Sequence, residues 1–568
     1  MFRLIPLSSL PFLDLWNKHT IMKRIFASLL LVLSASTSTV LACTSLLAGR
    51  NATSDGSTLI TYSADSHTLY GELYFWPAAT YPKGATMQIR EWDTGKPLGK
   101  IDQVEKTYSV VGNMNEFQLA ISETTWGGRS ELVDTTGIMD YGSLIYVTLQ
   151  RAKTAREAIK IMTDLVKKYG YYSSGETFSI ADPNEVWMME MIGKGPNNKG
   201  AVWVAVRIPD DCIAAHANQA RIHQFALNDK ENCLYSPDVI SFAREKGYFD
   251  GLNKDFSFAA AYAPADFSAL RACEARVWSF FNKYDPEEMK LYLPYINGET
   301  KTPMPLYIRP DKKLSVQDMK DAMRDHFEGT PFDMTQDAGA GPFGVPYRFR
   351  PMTFEVDSVT YVNERAIATQ QTGFTFVAQM RSWLPNPVGG VLWFGVDDAN
   401  TCVYVPMYCG IKEVPECFRH GNGNLLEFSW TSAFWIHNWV ANMAYARYNW
   451  MMKDIRPVQE EIETAFNTMQ PAIDKTASEM MTNNGEEATC RFLTDYCCGQ
   501  AMQTTARWKK LGEYLLVKHL DGNLKKEKDG KFLENGYGQP EMPDFPGYSE
   551  EYYRAVAKSA GNKLKVTF

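Results

Sequence analysis

The amino-acid sequence predicts an α+β fold, a sandwich in which strand series flank one helical block. Two β-rich runs, residues 44–49 and 57–62, are split by Asn51 to Gly56, and the Asp55-Gly56 ending is hairpin chemistry. Residues 155–169 form the helical block, with Ala158, Ile161, Met162, Leu165 and Val166 recurring on one face. A second strand series follows at 178–181, 186–191, 202–208 and 212–216 with no helical period between its members. Strands, helix, then strands again argue against alternating βαβ units.

The remaining elements are read in chain order. Short strands are predicted at 73–76, 108–112 and 118–122, before the helical block. Helical periodicity returns at 236–245, 269–280 and 316–327. A Gly/Pro-rich stretch, 329–351, has the length and composition of a lid or linker. Further strands are expected at 365–370, 374–381, 390–396 and 401–407, and the tail from Ser432 onward is helical, opening with an aromatic-rich run to residue 455. At 568 residues the chain exceeds one ordinary core. The expected division is 1–42 as an export segment, 43–455 as the main domain and 456–568 as a mostly helical extension.

Composition narrows the function classes. The chain is 45% hydrophobic with a net charge of -8, and no basic run is dense enough for a nucleic-acid partner. Residues 22–42 have the build of a secretory signal. Met22-Lys23-Arg24 is the charged start, residues 25–33 the apolar core, and Val40 and Ala42 the small residues at the -3 and -1 positions. Met22 is therefore a candidate start, and export to a periplasmic or extracellular space is expected. No later stretch reaches 18 continuous apolar residues, so no membrane span is expected. Ten cysteines are present, and Cys402, Cys409 and Cys417 are close enough for local bridges in an oxidising compartment. Their spacing does not match a zinc site, and neither a metal nor another cofactor is expected. The oligomeric state is left open, a homo-oligomer included.

Cys43 follows the cleavage region directly, and three accounts compete for it. It is a buried structural cysteine, a lipidated cysteine after the lipobox-like Val40-Leu41-Ala42, or an N-terminal nucleophile. In the third account a cut after Ala42 leaves a thiol and a free α-amine on one residue. The amine titrates at about 7.7–8.0 and a thiol at about 8.5, so one takes the other's proton near neutral pH.

Cys43-Thr44-Ser45, Asp55-Gly56-Ser57-Thr58 and Asp65-Ser66 together resemble the start of the PepD-like dipeptidases. Those are cysteine N-terminal nucleophile (Ntn) hydrolases related to penicillin V acylase and bile salt hydrolase. Ala217 to Ile222, Ala275-Arg276-Val277-Trp278, Gly329 to Asp333, Ala340 to Gly344 and Ser382 to Trp393 resemble later blocks of that family in the same order. The resemblance runs from Cys43 to about Ile455. It implies a four-layer αββα sandwich of two antiparallel sheets and hydrolysis of dipeptides through a thioester. An acylase on non-peptide amides is the near alternative, and a lipid-anchored envelope protein without catalysis is the distant one.

The resemblance implies four catalytic residues. Cys43 is the nucleophile, and Asp65 orients its amine, against the alternative of a strand-end cap. Asn218 offers an N–H to the oxyanion, against a turn asparagine. Arg276 stabilises the thiolate or binds a substrate carboxylate, against a helix-surface ion pair. Two positions depart from the family pattern. An arginine expected three residues before the aspartate is Tyr62, and an asparagine expected in the 119–125 segment is Thr125, leaving only its main-chain N–H as a second oxyanion donor. His216 and His223 flank Asn218, but strand-end histidines more often pack or hydrogen-bond than catalyse.

Overall fold

The computed structural model describes residues 43–567. The export segment read in residues 1–42 lies outside the described residues. The first hairpin forms as its turn dictates. β1 (Ser45–Ala48) pairs antiparallel with β2 (Thr58–Asp65). Gly56 takes a φ of 86°, which a side chain resists, and Asp55 accepts from both the N–H and the hydroxyl of Ser57 to close the turn.

β2 is buried at every position because it lies inside a seven-stranded antiparallel sheet. Its neighbours are β1 and β6 (Thr372–Met380). Beyond β1 come β5 (Ile213–His216) and Tyr307–Ile308, and beyond β6 come Val391–Val396 and Val405–Tyr408. An eight-stranded antiparallel sheet has β3 (Ala120–Trp126) and β4 (Gly175–Ala181) near its middle, followed by Val186–Gly193, Ala201–Ile208 and Cys233–Tyr235. β1 and β2 pack on β3 and β4. Polar rivets fix that packing: Ser45 to Ser122 at 3.2 Å, and Thr58 donating to the Asp182 carbonyl at 2.6 Å.

Helices α1 (Tyr141–Leu149) and α2 (Ala155–Tyr169) pack on the eight-stranded sheet. α2 spans the expected residues, capped by Thr154 at its start and by Gly170, at φ 82°, at its end. α3 (Ala275–Asn282) and α4 (Val316–Ala322) pack on the seven-stranded sheet, as does the C-terminal group, α5 (Ala433–Ala446), α6 (Tyr448–Asn483) and α7 (Glu486–Lys518). The fold is therefore α+β with antiparallel sheets and a helical C-terminal region.

Several expectations are corrected. Residues 365–370 form no strand. They are a buried irregular segment whose main-chain carbonyls at Ala366 and Ile367 accept from the Arg365 side chain. The strand expected at 401–407 begins only at Val405. α1 shows no single apolar stripe because nearly all of it is buried, and the edge hairpin Thr86–Arg90/Pro97–Asp102 is likewise additional to the sequence reading. Residue 455 falls inside the continuous helix α6. Cys402, Cys409 and Cys417 form no bridge, and all ten cysteines are free thiols. Cys402 and Cys409 instead donate to main-chain carbonyls of Ala399 and Asn386.

α6 is tied to the sheet by buried charge. Lys320 on α4 is fully buried, its ammonium 3.7 Å from the centre of the Trp393 ring, and burial lowers its pKa to about 8. Arg324 pairs with Glu463 of α6 at 2.6 Å, and Glu463 also accepts from the Tyr404 N–H. Removing the carboxylate takes the main opposing charge from buried Lys320 and leaves Arg324 paired only with the exposed Asp321 at 3.0 Å. Glu463→Ala is expected to cost about 3–5 kcal/mol in urea unfolding at neutral pH.

Candidate active site

Cys43 stands just before β1, 4% exposed, with Thr44 bridged to Ser63 of β2. Its Sγ lies 3.7 Å from the Tyr62 hydroxyl and donates towards Glu123 Oε1 at 3.8 Å. Tyr62 also donates to Glu123 Oε1. Burial pushes the thiol pKa well up, and the carboxylates of Glu123 and Asp65 add to the shift.

Arg276 joins the nucleophile candidate to the oxyanion candidate. Its Nη1 donates to the Cys43 carbonyl at 2.6 Å and to Thr44 Oγ1 at 2.8 Å. Its Nη2 donates to the Ala217 carbonyl at 3.1 Å and to Asn218 Oδ1 at 2.9 Å, and Nε donates to Ala272. A guanidinium has five N–H donors, and five acceptors take them. Arg276 is thus neither a surface ion pair nor open to a substrate carboxylate; it is 1% exposed and positions the residues around it. Burial lowers its pKa to about 10, which still leaves it charged. The π-helical stretch Ala269–Glu274 before α3 brings it to this place.

Asn218 sits at φ 60°, a left-handed conformation that asparagine tolerates, directly after β5. The bend is held from behind. Arg221 pairs with buried Glu274 at 2.9 Å, and Glu190 accepts from the N–H groups of Arg221 and Ile222. Asn218 Nδ2 donates to the Thr125 carbonyl at 2.7 Å. Thr125, the second departure from the family pattern, therefore supports Asn218 while its hydroxyl donates to Glu176 at 3.0 Å.

Asp65 ends β2, one pair beyond the level of Cys43 if the Thr44–Ser63 register continues. Arg365 pairs with its Oδ2, Ser63 donates to the same oxygen at 3.0 Å, and Thr372 donates to Oδ1 at 2.7 Å. Burial raises its pKa while Arg365 opposes the shift. The positive charge absent at Tyr62 thus arrives from Arg365, 300 residues downstream of the aspartate.

Glu123, Glu176, Arg365 and Tyr62 escaped assignment from the sequence. Glu123 and Glu176 carried a signal, as charges inside β-rich runs; Arg365 carried none. Thr125 faces Glu176 across β3 and β4, so Glu123, two residues back, shares its face with Glu176. Both are buried and both pKa values are raised, Glu176 the further because the Glu123 charge adds to burial. Burial thus disfavours the charged form of both acids, and each opposes ionisation of the other, Glu176 the more strongly affected. His216 is not part of the thiol's surroundings. Its ring nitrogens bond Thr124 and Ser179, each at 2.7 Å, and burial lowers its pKa to about 3.

A profile of peptidase family C69 matches residues 71–461. The chain belongs to peptidase family C69. It is accordingly a hydrolase of the cysteine-peptidase type. The C69 match contains Glu123, Asn218, Arg276 and Arg365, while Cys43 and Asp65 precede it. A probable dipeptidase of Salmonella dublin is 27% identical over 391 residues, 66% of this chain and 82% of the relative. A probable dipeptidase of Latilactobacillus sakei is 26% identical over 453 residues, 76% and 87% of the two chains. Dipeptidase A of Lactobacillus helveticus is 24% identical over 452 residues, 75% and 84%. Among the described residues no cluster of three or more His, Cys, Asp or Glu has the arrangement of a metal site, and no helix is long and apolar enough to cross a membrane.

The raised acid pair gives this C69 chain a pH signature. The folded state keeps a proton on Glu176 that the unfolded chain releases above about pH 4.3, so the pair subtracts stability as pH rises. Glu176→Gln is therefore expected to stabilise the protein by about 1–3 kcal/mol near pH 8, with the gain vanishing towards pH 4 in unfolding curves across that range.

Proposed function

We propose that the protein is an exported dipeptidase with the Ntn-hydrolase fold and that Cys43, freed by removal of the residues up to Ala42, is its nucleophile. The observation that carries this reading is the single guanidinium of Arg276, which holds the Cys43 carbonyl and the Asn218 side chain together. The order of packing, helices on a sheet, that sheet on a second sheet, and helices beyond, supports the Ntn sandwich. The names of the C69 relatives support dipeptides as substrates.

In this reading the Cys43 α-amine takes the thiol proton. The thiolate attacks the scissile carbonyl carbon and the oxyanion is met by the Asn218 amide, a donor worth about 2.7–4 kcal/mol in comparable sites. The C–N bond breaks, the departing amine receives the proton, and water then hydrolyses the thioester to release two amino acids. Asp65 holds the amine, itself fixed by Arg365 and Thr372. Maturation also adds an ammonium beside a thiol that burial and two carboxylates keep protonated, which lowers the thiol pKa.

Intact-mass measurement of the mature chain is expected to give a start at unmodified Cys43; a diacylglyceryl adduct refutes the mechanism. Cys43→Ala, prepared from the same start, is expected to lose dipeptide turnover by a factor of at least about 1,000 while keeping its circular dichroism. Unchanged turnover refutes the assignment.

A further inference from the structure

Next to the residues that touch the thiol lies a pocket partly open to solvent. Its walls are aromatic. Trp76 stacks on Tyr146 with ring centres 5.0 Å apart, Tyr74 meets Trp92 at 4.8 Å, and Tyr141 closes another side. Tyr62 and Glu123 line the end that touches Cys43.

Glu123, which lines this cavity and shares a sheet face with Glu176, is its unusual feature. Both side chains are at least 99% buried, yet Glu123 Oε2 and Glu176 Oε1 have no donor from another residue. One proton shared between the two acids satisfies those oxygens, and an arriving cation is the partner that favours ionisation of Glu123. The remaining donors are neutral: the hydroxyls of Tyr62 and Thr125 and the Cys43 thiol. Among the described residues no Lys, Arg or His forms an ion pair with either acid, although the Asp65, Glu274 and Glu463 carboxylates each have an arginine. A buried charge without a counter-ion is costly, and this one faces an open cavity.

We infer that Glu123, backed by Glu176, is the anchor for the free α-ammonium of the substrate, so that this pocket admits only peptides with an unblocked N-terminal residue. This rests on Cys43 being the nucleophile, as proposed above. The geometry follows from the peptide itself. The α-nitrogen lies about 2.5 Å from the carbonyl carbon that is attacked, and an attacking sulfur approaches to about 3–3.5 Å. The ammonium must then lie within about 6 Å of Sγ. Glu123 Oε1 is 3.8 Å from Sγ, and a charge-assisted hydrogen bond spans about 2.7–2.9 Å, so a nitrogen held on the thiol side of this carboxylate lies inside that limit, while one held on the far side, at about 6.5–6.7 Å, lies outside it. A lysine ammonium in the first residue extends several bonds further, away from the thiol. The aromatic walls then receive the first side chain. An N-acylated substrate has a neutral N–H and an added acyl group where the ammonium belongs, and the Glu123 charge stays uncompensated.

The test compares alanyl-alanine with its des-amino analogue propionyl-alanine, and lysyl-alanine with Nα-acetyl-lysyl-alanine, on the mature enzyme. Loss of a charge-assisted hydrogen bond predicts wild-type kcat/KM at least about 10- to 100-fold higher for each free-amine member. Glu123→Gln is expected to remove most of that preference, bringing kcat/KM for the two members of each pair to within about threefold of each other; because Glu123 also touches the thiol, the readout is the ratio within a pair, which a change in thiol reactivity common to both members leaves untouched. Three results overturn the inference. One is equal wild-type kcat/KM for alanyl-alanine and propionyl-alanine, which needs no variant to fold. Another is efficient cleavage of Nα-acetyl-lysyl-alanine, which would mean that the pocket reads a side-chain ammonium. The last is a Glu123→Gln variant that loses both members of each pair by the same factor, which would place Glu123 in thiol activation. Failure of the nucleophile assignment looks different: Cys43→Ala then retains turnover whatever the substrate preference.

Discussion

The site depends on one buried cation. Arg276 has given up its hydration, a cost that only a full set of acceptors offsets, and the five it finds come from three places in the chain: the start of β1, the bend after β5 and the turn leading into its own helix. Loss of one acceptor leaves a buried N–H unpaired. The three segments are therefore held jointly, and a shift in one is resisted by the other two. This matters most for Cys43. The first residue of a chain ordinarily frays because nothing lies before it to hold it. Here the Cys43 carbonyl is clamped by a guanidinium that is itself immobile, so a chain cut after Ala42 keeps its first residue in register with β2.

Two carboxylate centres flank the thiol, and they are treated differently. Asp65 is neutralised locally by Arg365 and saturated by Ser63 and Thr372, which suits a group whose task is to hold another in place. Glu123 and Glu176 have hydroxyl donors but no cation, and they sit where a cavity reaches the thiol. Perturbed acids of this kind cluster at functional sites because a stability cost persists where function requires it. Arg276 and Arg365 serve to hold the protein's own residues; the charge at Glu123 remains for a visitor.

Local chemistry was legible in the sequence wherever it acts within a few residues. The Asp55-Gly56 turn, helix α2 and the strand series after it all formed as read, because turns and periodicity are short-range effects. The 365–370 segment misled because β-favourable residues were taken for a strand, whereas tertiary demand bends it to bring Arg365 to Asp65. α1 was missed because burial on all sides erases the apolar stripe. At the site, the structure brings Asn218 and Arg276 together and sets both beside Cys43, but a full set of donors towards the protein itself gives Arg276 a holding task that no residue pattern encodes.

Tyr62 shows how the parts fit. With arginine at this position, a cation would lie beside the thiol and neutralise Glu123 from within the protein. With tyrosine, the hydroxyl donates to Glu123 Oε1 and stays 3.7 Å from Sγ, so it orients the carboxylate without discharging it. The positive charge needed at Asp65 comes instead from Arg365, on a segment that ends just before β6 and the strand-end Thr372. Moving the cation from one side of β2 to the other separates two tasks. Asp65 is left compensated, and Glu123 keeps a carboxyl group that forms no ion pair with a Lys, Arg or His side chain among the described residues. In the proposed mechanism, a substrate ammonium that pairs with Glu123 arrives within reach of Cys43, and the bond broken is the one next to the residue that carries it.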